Sequence, residues 1–417
     1  MWKAPVGWSR WPMRLLRWTL LTPLSEHFTL PTFPKTGVAL VVGAGFPPPA
    51  RCSIGAVRLP GTPMLNHSLF APDRWLWYPL LLLAVIALAA CEKSAPDPTV
   101  RISGSTMGTS YDLQLVPVLG QAVPADFKAK VDGLLARVNK QMSTYDPASE
   151  LSRFNRNTST DWVAVSPELQ AVVAEGLRVS ELSGGAFDIT VGPLVNLWGF
   201  GPEPRRDQVP SDQAIDQARE RVGYWRLHTR VDPPALKKDR ADIYVDLSAL
   251  AKGYAVDQLA ALMEVNGIGN YLVAISGDIR AKGRNGKGQP WTVAIEQPVA
   301  GQRAVERLIR LGDHGVSTAG DYRNFFEQNG QRYSHIINPH TGRPVPQTLV
   351  SVTVISDLDM AADAADTALL AAGPDFGFQL ATDHHLAAFF IVIGPDGKSF
   401  QERYTPEFEP YLLPSTP

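Results

Sequence analysis

Apolar spacing in this chain switches between the two-residue period of strands and the three-to-four period of helices, and it does so without regular alternation. That irregularity is the strongest limit on the fold. After Met107-Gly108-Thr109, the run Ser110–Val116 alternates as a strand, whereas Ala125–Met142 carries Phe127, Val131, Leu134, Leu135 and Val138 at helical spacing. Ser166–Ser183 predicts a second helix, with Ser166 as N-cap, Pro167 at the first helical position and Gly184-Gly185 as its stop. Ser211–Val222 predicts a third. Strand-like runs follow at Tyr271–Ile275, Trp291–Ile295, Leu308–Leu311, Val350–Ile355 and Ala387–Ile393. Ser276-Gly277-Asp278 closes the first of these, and the polar turn Gly283–Gly288 precedes the second. A doubly wound parallel sheet requires strand and helix to alternate, so the expected class is α+β with mixed, largely antiparallel sheet. The chain has no Gly-x-Gly-x-x-Gly turn joining a strand to a helix, and no Rossmann module is expected.

The first ninety residues concern delivery. Trp75–Ala90 is an apolar run of 16 residues after Arg74, short of the roughly 20 that span a bilayer. It fits the core of a secretory signal, and Leu88-Ala89-Ala90-Cys91 looks like a bacterial lipobox with Cys91 as the lipidated residue. The alternative is a short anchor that stays attached. Residues 1–63 are rich in Trp, Pro and Gly, lack periodicity and precede Met64, so they read as a leader that is untranslated or a disordered extension. The expected organisation is therefore leader 1–63, signal 64–90, lipidated tether 91–100, one catalytic region 101–400 and a C-terminal tail 401–417. The expected location is the periplasmic face of the cell inner membrane. With Cys52 in the leader and Cys91 lipidated, the folded part has no thiol for a disulfide, thiolate catalysis or cysteine-bound zinc. A net charge of −2 leaves no basic footprint for nucleic acid.

Three segments carry chemistry. In Tyr244–Val256 an apolar strand-like run (Ile243 to Val245) ends on Asp246, and Ser248 opens a helix that contains Lys252 and ends near Asn266-Gly267. Asp246 and Lys252 thus flank a helix N-terminus, where backbone N–H groups favour a phosphate-bearing ligand; the plainer alternative is a capped helix with a surface lysine. Asp359–Ala372 predicts a helix closed by Gly373, on which Asp363, Asp366 and Thr367 share a face. Two carboxylates and a hydroxyl suit Mg²⁺, against the alternative of a solvated acidic face with a back-bonded threonine. In Tyr-Ser-His-Ile-Ile-Asn-Pro-His-Thr-Gly (333–342), His335 precedes two isoleucines as though aimed into a pocket from a strand, whereas His340 sits in a turn. His335 is a candidate proton acceptor with an unperturbed pKa near ~6.5, or else a core histidine that orients its loop.

These segments, together with Gly184–Leu194, Ser276–Arg280 and Ala362–Thr367, in this order, resemble the ApbE family of FAD:protein FMN transferases from about Ser105 to about Ile393. The resemblance implies an α+β fold that binds FAD without a Rossmann module. It implies FAD contacts at Met107, Tyr145, Ala186, Phe187, Asp188, Asp246, Lys252 and Ile337. It also implies Mg²⁺ ligands at Asp363, Thr367 and the carbonyl of Ala249, with Asp366 beside them. For Met107 and Phe187 a core role remains the alternative.

The implied reaction is transfer of the FMN part of FAD to a Ser or Thr hydroxyl of a partner, with release of AMP. Implied partners are flavin-carrying subunits of Rnf-type and sodium-translocating NADH:quinone reductase complexes. Two other functions use the same residues: a Mg²⁺-dependent FAD pyrophosphatase with water as nucleophile, and a non-catalytic flavin-binding lipoprotein.

Overall fold

The computed structural model describes residues 97–118, 120–203, 207–299 and 304–414. The leader, the signal run and Cys91 lie outside the described residues. The framework is an eight-stranded sheet of β1 (Val100–Thr106), β2 (Thr109–Leu115), β3 (Tyr271–Ile275), β4 (Asp278–Lys282), β5 (Gly315–Gly320), β6 (Leu349–Ser356), β7 (Ala387–Ile393) and β8 (Phe400–Tyr404). Spatial order follows chain order, and every neighbouring pair is antiparallel. Between β2 and β3 the chain inserts α1 (Phe127–Met142), α2 (Glu150–Arg156), α3 (Pro167–Leu182), α4 (Gly192–Leu197), α5 (Asp212–Arg219) and α6 (Ala251–Val265). Between β6 and β7 it inserts α7 (Asp359–Ala372) and α8 (Pro374–Asp383). The α+β class with largely antiparallel sheet is the one the chain adopts.

Both faces of the sheet are covered, which explains why all five residues of β3 are buried. Tyr271, Val273 and Ile275 face a core with α1, α3 and α6, while Leu272 and Ala274 face Trp291, Val293, Ile309 and Phe408 on the other side. The period of two thus feeds two cores at once, at ~1.5–3 kcal/mol for each large side chain removed from water.

Local chemistry sets most element ends. Ser166 Oγ accepts from Leu169 N–H at the start of α3, and Ser211 Oγ does the same for Ala214 at the start of α5. Gly184 and Gly185 stop α3 at φ of 60° and 83°, a region that disfavours other residues. Ser276-Gly277-Asp278 closes β3 at Ile275 as expected, and it does so as a tight turn: Ser276 takes φ 57°, Ile275 pairs with Asp278, and β4 begins. One expectation needs correction: residues 401–414 are not a tail, because β8 completes the sheet edge and Phe408 is fully buried.

Candidate active site

The junction before α6 departs from its expected form. Ile243 and Val245 are fully buried, but they belong to no strand. The side chain of Asn155, from α2, stands in for a neighbouring strand: its Nδ2 donates to Val245 O and its Oδ1 accepts from Val245 N–H, both at 2.8 Å. Asp246 N–H donates to Ile189 O at 2.8 Å. Helix α6 starts at Ala251, three residues after Ser248. Asp246 Oδ1 accepts from Ser248 N–H (2.9 Å) and Ser248 Oγ (2.6 Å), which closes a turn over 248–250 before the helix begins. Ala249 sits in that turn, partly buried against the helix-side core.

Lys252, in the first turn of α6, reaches Asp278 Oδ2 of β4 at 2.6 Å and Asp363 Oδ1 of α7 at 3.2 Å. Asp363 Oδ2 accepts from Gly253 N–H at 3.0 Å. This approach requires glycine, since a Cβ at Gly253 would lie 2.7 Å from Asp359 O and Met360 Cα. Asp257 of α6 caps α7 across the gap, accepting from the N–H groups of Asp359 and Met360 at 3.0 Å and from Arg280 at 2.5 Å. Ser317 of β5 donates to Asp278 Oδ1 at 2.5 Å, and Thr367 donates to Asp366 Oδ1 at 3.2 Å.

Asp278, Asp363 and Asp366 are nearly inaccessible, with Lys252 as the ammonium among them. Burial and the Asp278 charge push Asp363 up to about 7. Burial and Asp363 push Asp366 well above the usual carboxylate range. Burial acts against the Lys252 charge, but Asp278 and Asp363 override it and keep the amine protonated. Asp366 Oδ2 has no hydrogen-bond partner. Excess buried negative charge and an unpartnered oxygen fit a bound cation. Among the described residues no three His, Cys, Asp or Glu side chains converge as an ion-binding group. The carboxylates of Asp363 and Asp366 and the Thr367 hydroxyl on α7 are all oxygen donors, a chemistry that fits Mg²⁺, while a part for the Ala249 carbonyl is implied by the family resemblance alone.

The residues expected to face FAD divide into two groups. Tyr145 is 65% exposed, its hydroxyl donating to Phe200 O at 3.3 Å. Partial desolvation and the Asp246 charge raise its pKa. With Tyr244, Ser152, Asn155 and Arg156 it lines a pocket open to solvent. Met107 is partly buried at the tip of the β1–β2 hairpin, with φ 49°. Ala186, Phe187 and Ile337 are each 6% exposed, so they present edges only. Asp188, an implied FAD contact, is engaged by Thr190 of its own loop and by Tyr224. Its Oδ1 accepts from Thr190 N–H (2.7 Å) and Thr190 Oγ1 (2.6 Å), and its Oδ2 from Tyr224 N–H (2.9 Å).

His335 follows the strand Gln331–Ser334 and is half-buried, with the Phe200 ring edge-on at 6.3 Å. Its Nδ1 lies 3.1 Å from Asn324 O, so Nδ1 carries the proton and Nε2 keeps its lone pair. Burial and the nearby Lys252 charge push the imidazole down to about 4, against the bond to Asn324. The ordinary value near 6.5 expected for it does not hold. His340 keeps its structural place, packing over Gly185. The roles of Asp278, Ser317, Asp257 and Asn155 escaped sequence reasoning. The one signal for them was the Ser-Gly-Asp triplet at 276–278.

A family model described as the ApbE family matches residues 107–390. A relative from Vibrio cholerae named FAD:protein FMN transferase is 46% identical over 331 residues, covering 79% of this chain and 97% of its own. An Escherichia coli K12 protein of the same name is 40% identical over 342 residues, covering 80% and 96%. The solved flavin transferase ApbE from Vibrio cholerae superposes with a TM-score of 0.70 at 45% identity, over 75% of this chain and 99% of that one. The chain belongs to the ApbE family.

Proposed function

We propose that this protein transfers the FMN half of FAD to a Ser or Thr hydroxyl of an acceptor flavoprotein subunit, with Mg²⁺ bound, and releases AMP. The observation that carries this reading is the pairing of a neutral imidazole, His335, with the adjacent Lys252–Asp278–Asp363–Asp366 cluster. Its support from relatives is their name, FAD:protein FMN transferase.

The acceptor hydroxyl attacks the FMN phosphorus. An O–P bond forms, the bridging P–O bond breaks, and its electron pair leaves with AMP. His335 Nε2 takes the hydroxyl proton, which its depressed pKa permits across the neutral range. Lys252 brings a permanent positive charge beside the diphosphate, and the exposed ring of Tyr145 offers a face for stacking. Asp363, Thr367 and the Ala249 carbonyl, with Asp366 beside them, would hold Mg²⁺, which when bound neutralises charge developing on the leaving phosphate. The enzyme's own contribution is positioning and electrostatics, as is general for phosphoryl transfer. The lipobox ending at Cys91 supports anchoring at the periplasmic face of the inner membrane, where Rnf-type or sodium-translocating NADH:quinone reductase-like subunits would be the acceptors.

The test is incubation with FAD, Mg²⁺ and an acceptor subunit, read by intact protein mass and AMP release. The expected result is one FMN phosphoryl group added per AMP. Free FMN and AMP with unmodified acceptor would make water the nucleophile, and intact FAD would leave a flavin-binding protein without catalysis.

A further inference from the structure

Lys238 is 1% exposed, and its hydrogen bonds go to no member of the acidic cluster. Its ammonium donates to Asn157 O (2.6 Å), Phe154 O (3.2 Å), Ala241 O (3.2 Å), Asn155 O (3.4 Å) and Ile243 O (3.5 Å). The first group of carbonyls, 154 to 157, ends α2; the second, 241 to 243, begins the segment that leads into Asp246. A buried ammonium is costly unless its protons are satisfied, so it draws both groups of carbonyls onto one point. Between them stands Asn155, whose side chain holds both backbone polar groups of Val245 at 2.8 Å. Asp246 follows directly, tied at its N–H to Ile189 and at its carboxylate to the turn that contains Ala249.

We propose that Lys238 is a positioning residue for flavin binding, acting through Asn155 to hold Asp246 in place. The proposal rests on the reading of Asp246 as a flavin contact. Because Lys238 is tied to neither Lys252, Asp363 nor His335, its loss should weaken FAD binding and raise KM for FAD while kcat at saturating FAD stays within a few-fold.

The experiment measures FAD affinity by fluorescence titration and steady-state rates for the full-length protein and for Lys238→Met, Asp246→Asn and the double variant. On the order of tenfold weaker FAD binding is expected for each single variant, with the double no weaker than Asp246→Asn alone, since residues acting in one chain of contacts are not additive. Lower thermal stability in Lys238→Met with FAD affinity unchanged would overturn the proposal and reduce the lysine to a structural staple. Additive losses in the double variant would also overturn it. If Asp246→Asn itself leaves FAD affinity intact, the reading of Asp246 falls first and the proposal with it. Should Lys238→Met fail to fold, Asn155→Ala cuts the same link one step later and must show the same loss and the same non-additivity, or the proposal fails.

Discussion

Two lysines on either side of the 243–251 junction are held in opposite ways. Lys252 is met by the carboxylates of Asp278 and Asp363, and its pKa is raised. Lys238 is met by five backbone carbonyls, and burial lowers its pKa. The carbonyls are fixed parts of the backbone, so Lys238 binds two segments into one unit. The carboxylates carry more negative charge than one ammonium balances, so the Lys252 centre is stable only with a further cation or with protons taken up. One region is a completed structure; the other is prepared for a ligand. The same residue type serves both because its surroundings decide whether its charge is compensated or left with work to do.

If that contrast is right, damage to the acidic centre should strike the rate and spare the fold. Asp363→Ala is expected to have the largest effect, a loss on the order of 10⁴-fold in turnover with FAD binding partly retained, because it would remove a proposed Mg²⁺ ligand. Single-turnover AMP release and flavin titration check it; wild-type rates in excess Mg²⁺ would show that the carboxylate is only an ion-pair partner for Lys252.

His335→Ala comes next, with about 10²–10⁴-fold slower turnover and little change in FAD affinity. The pH dependence sharpens it. Burial has depressed the folded pKa to about 4, so the base is neutral above that value and is lost only as pH falls through it. With Mg²⁺ saturating, so that Asp363 stays ionised, the wild-type rate should therefore hold level from neutrality down to about pH 5 and fall near 4. An acidic limb centred near 6.5 that does not move with Mg²⁺ concentration would mean that the imidazole is not buried as described, or that another group is the base.

Ser317→Ala probes the same centre more gently. Its hydroxyl donates to Asp278, which in turn holds Lys252. The expected effect is a rise of about tenfold in the Mg²⁺ concentration for half-maximal rate, the lower end for a residue that orients a ligand set. No change in that concentration would separate Asp278 and Ser317 from the metal side of the site.

The two regions were unequally legible in the sequence. The bounds of α7 follow from an acidic start and Gly373, a residue at φ 88°, and both signals lie within the helix itself or next to it. The i, i+3 spacing that brings Asp363 and Asp366 together is likewise local. The partners of Lys252 are not. Asp278 and Asp363 are 26 and 111 residues away in sequence, on a strand and a helix that only the sheet order brings together. Val245 was misread for a related reason: the apolar run from Ile243 to Val245 looks like a strand, but the backbone partner of Val245 is the side chain of Asn155, 90 residues upstream. Nothing in the composition of Leu236-Lys237-Lys238-Asp239 distinguishes the lysine that turns inward from its neighbour, because the decision is made by where the carbonyls at 154 to 157 and 241 to 243 end up.

The smallest expected effect tests the charge state of that inward lysine. In the unfolded chain Lys238 has an ordinary pKa near 10.5, and in the folded protein burial lowers it. Between the two values the unfolded state binds more protons than the folded one, so stability attributable to this group increases as pH rises through the window. Lys238→Met removes the group from both states, while other titrations largely cancel in the difference. The stability advantage of wild type over Lys238→Met should therefore be greater at pH 10 than at pH 7, by a few degrees in Tm at most for a domain of this size. Thermal unfolding of the two proteins at matched pH measures it. An advantage that shrinks toward pH 10 would require a raised folded pKa, and hence a carboxylate partner for Lys238, which would make the two lysines alike and remove the contrast between them.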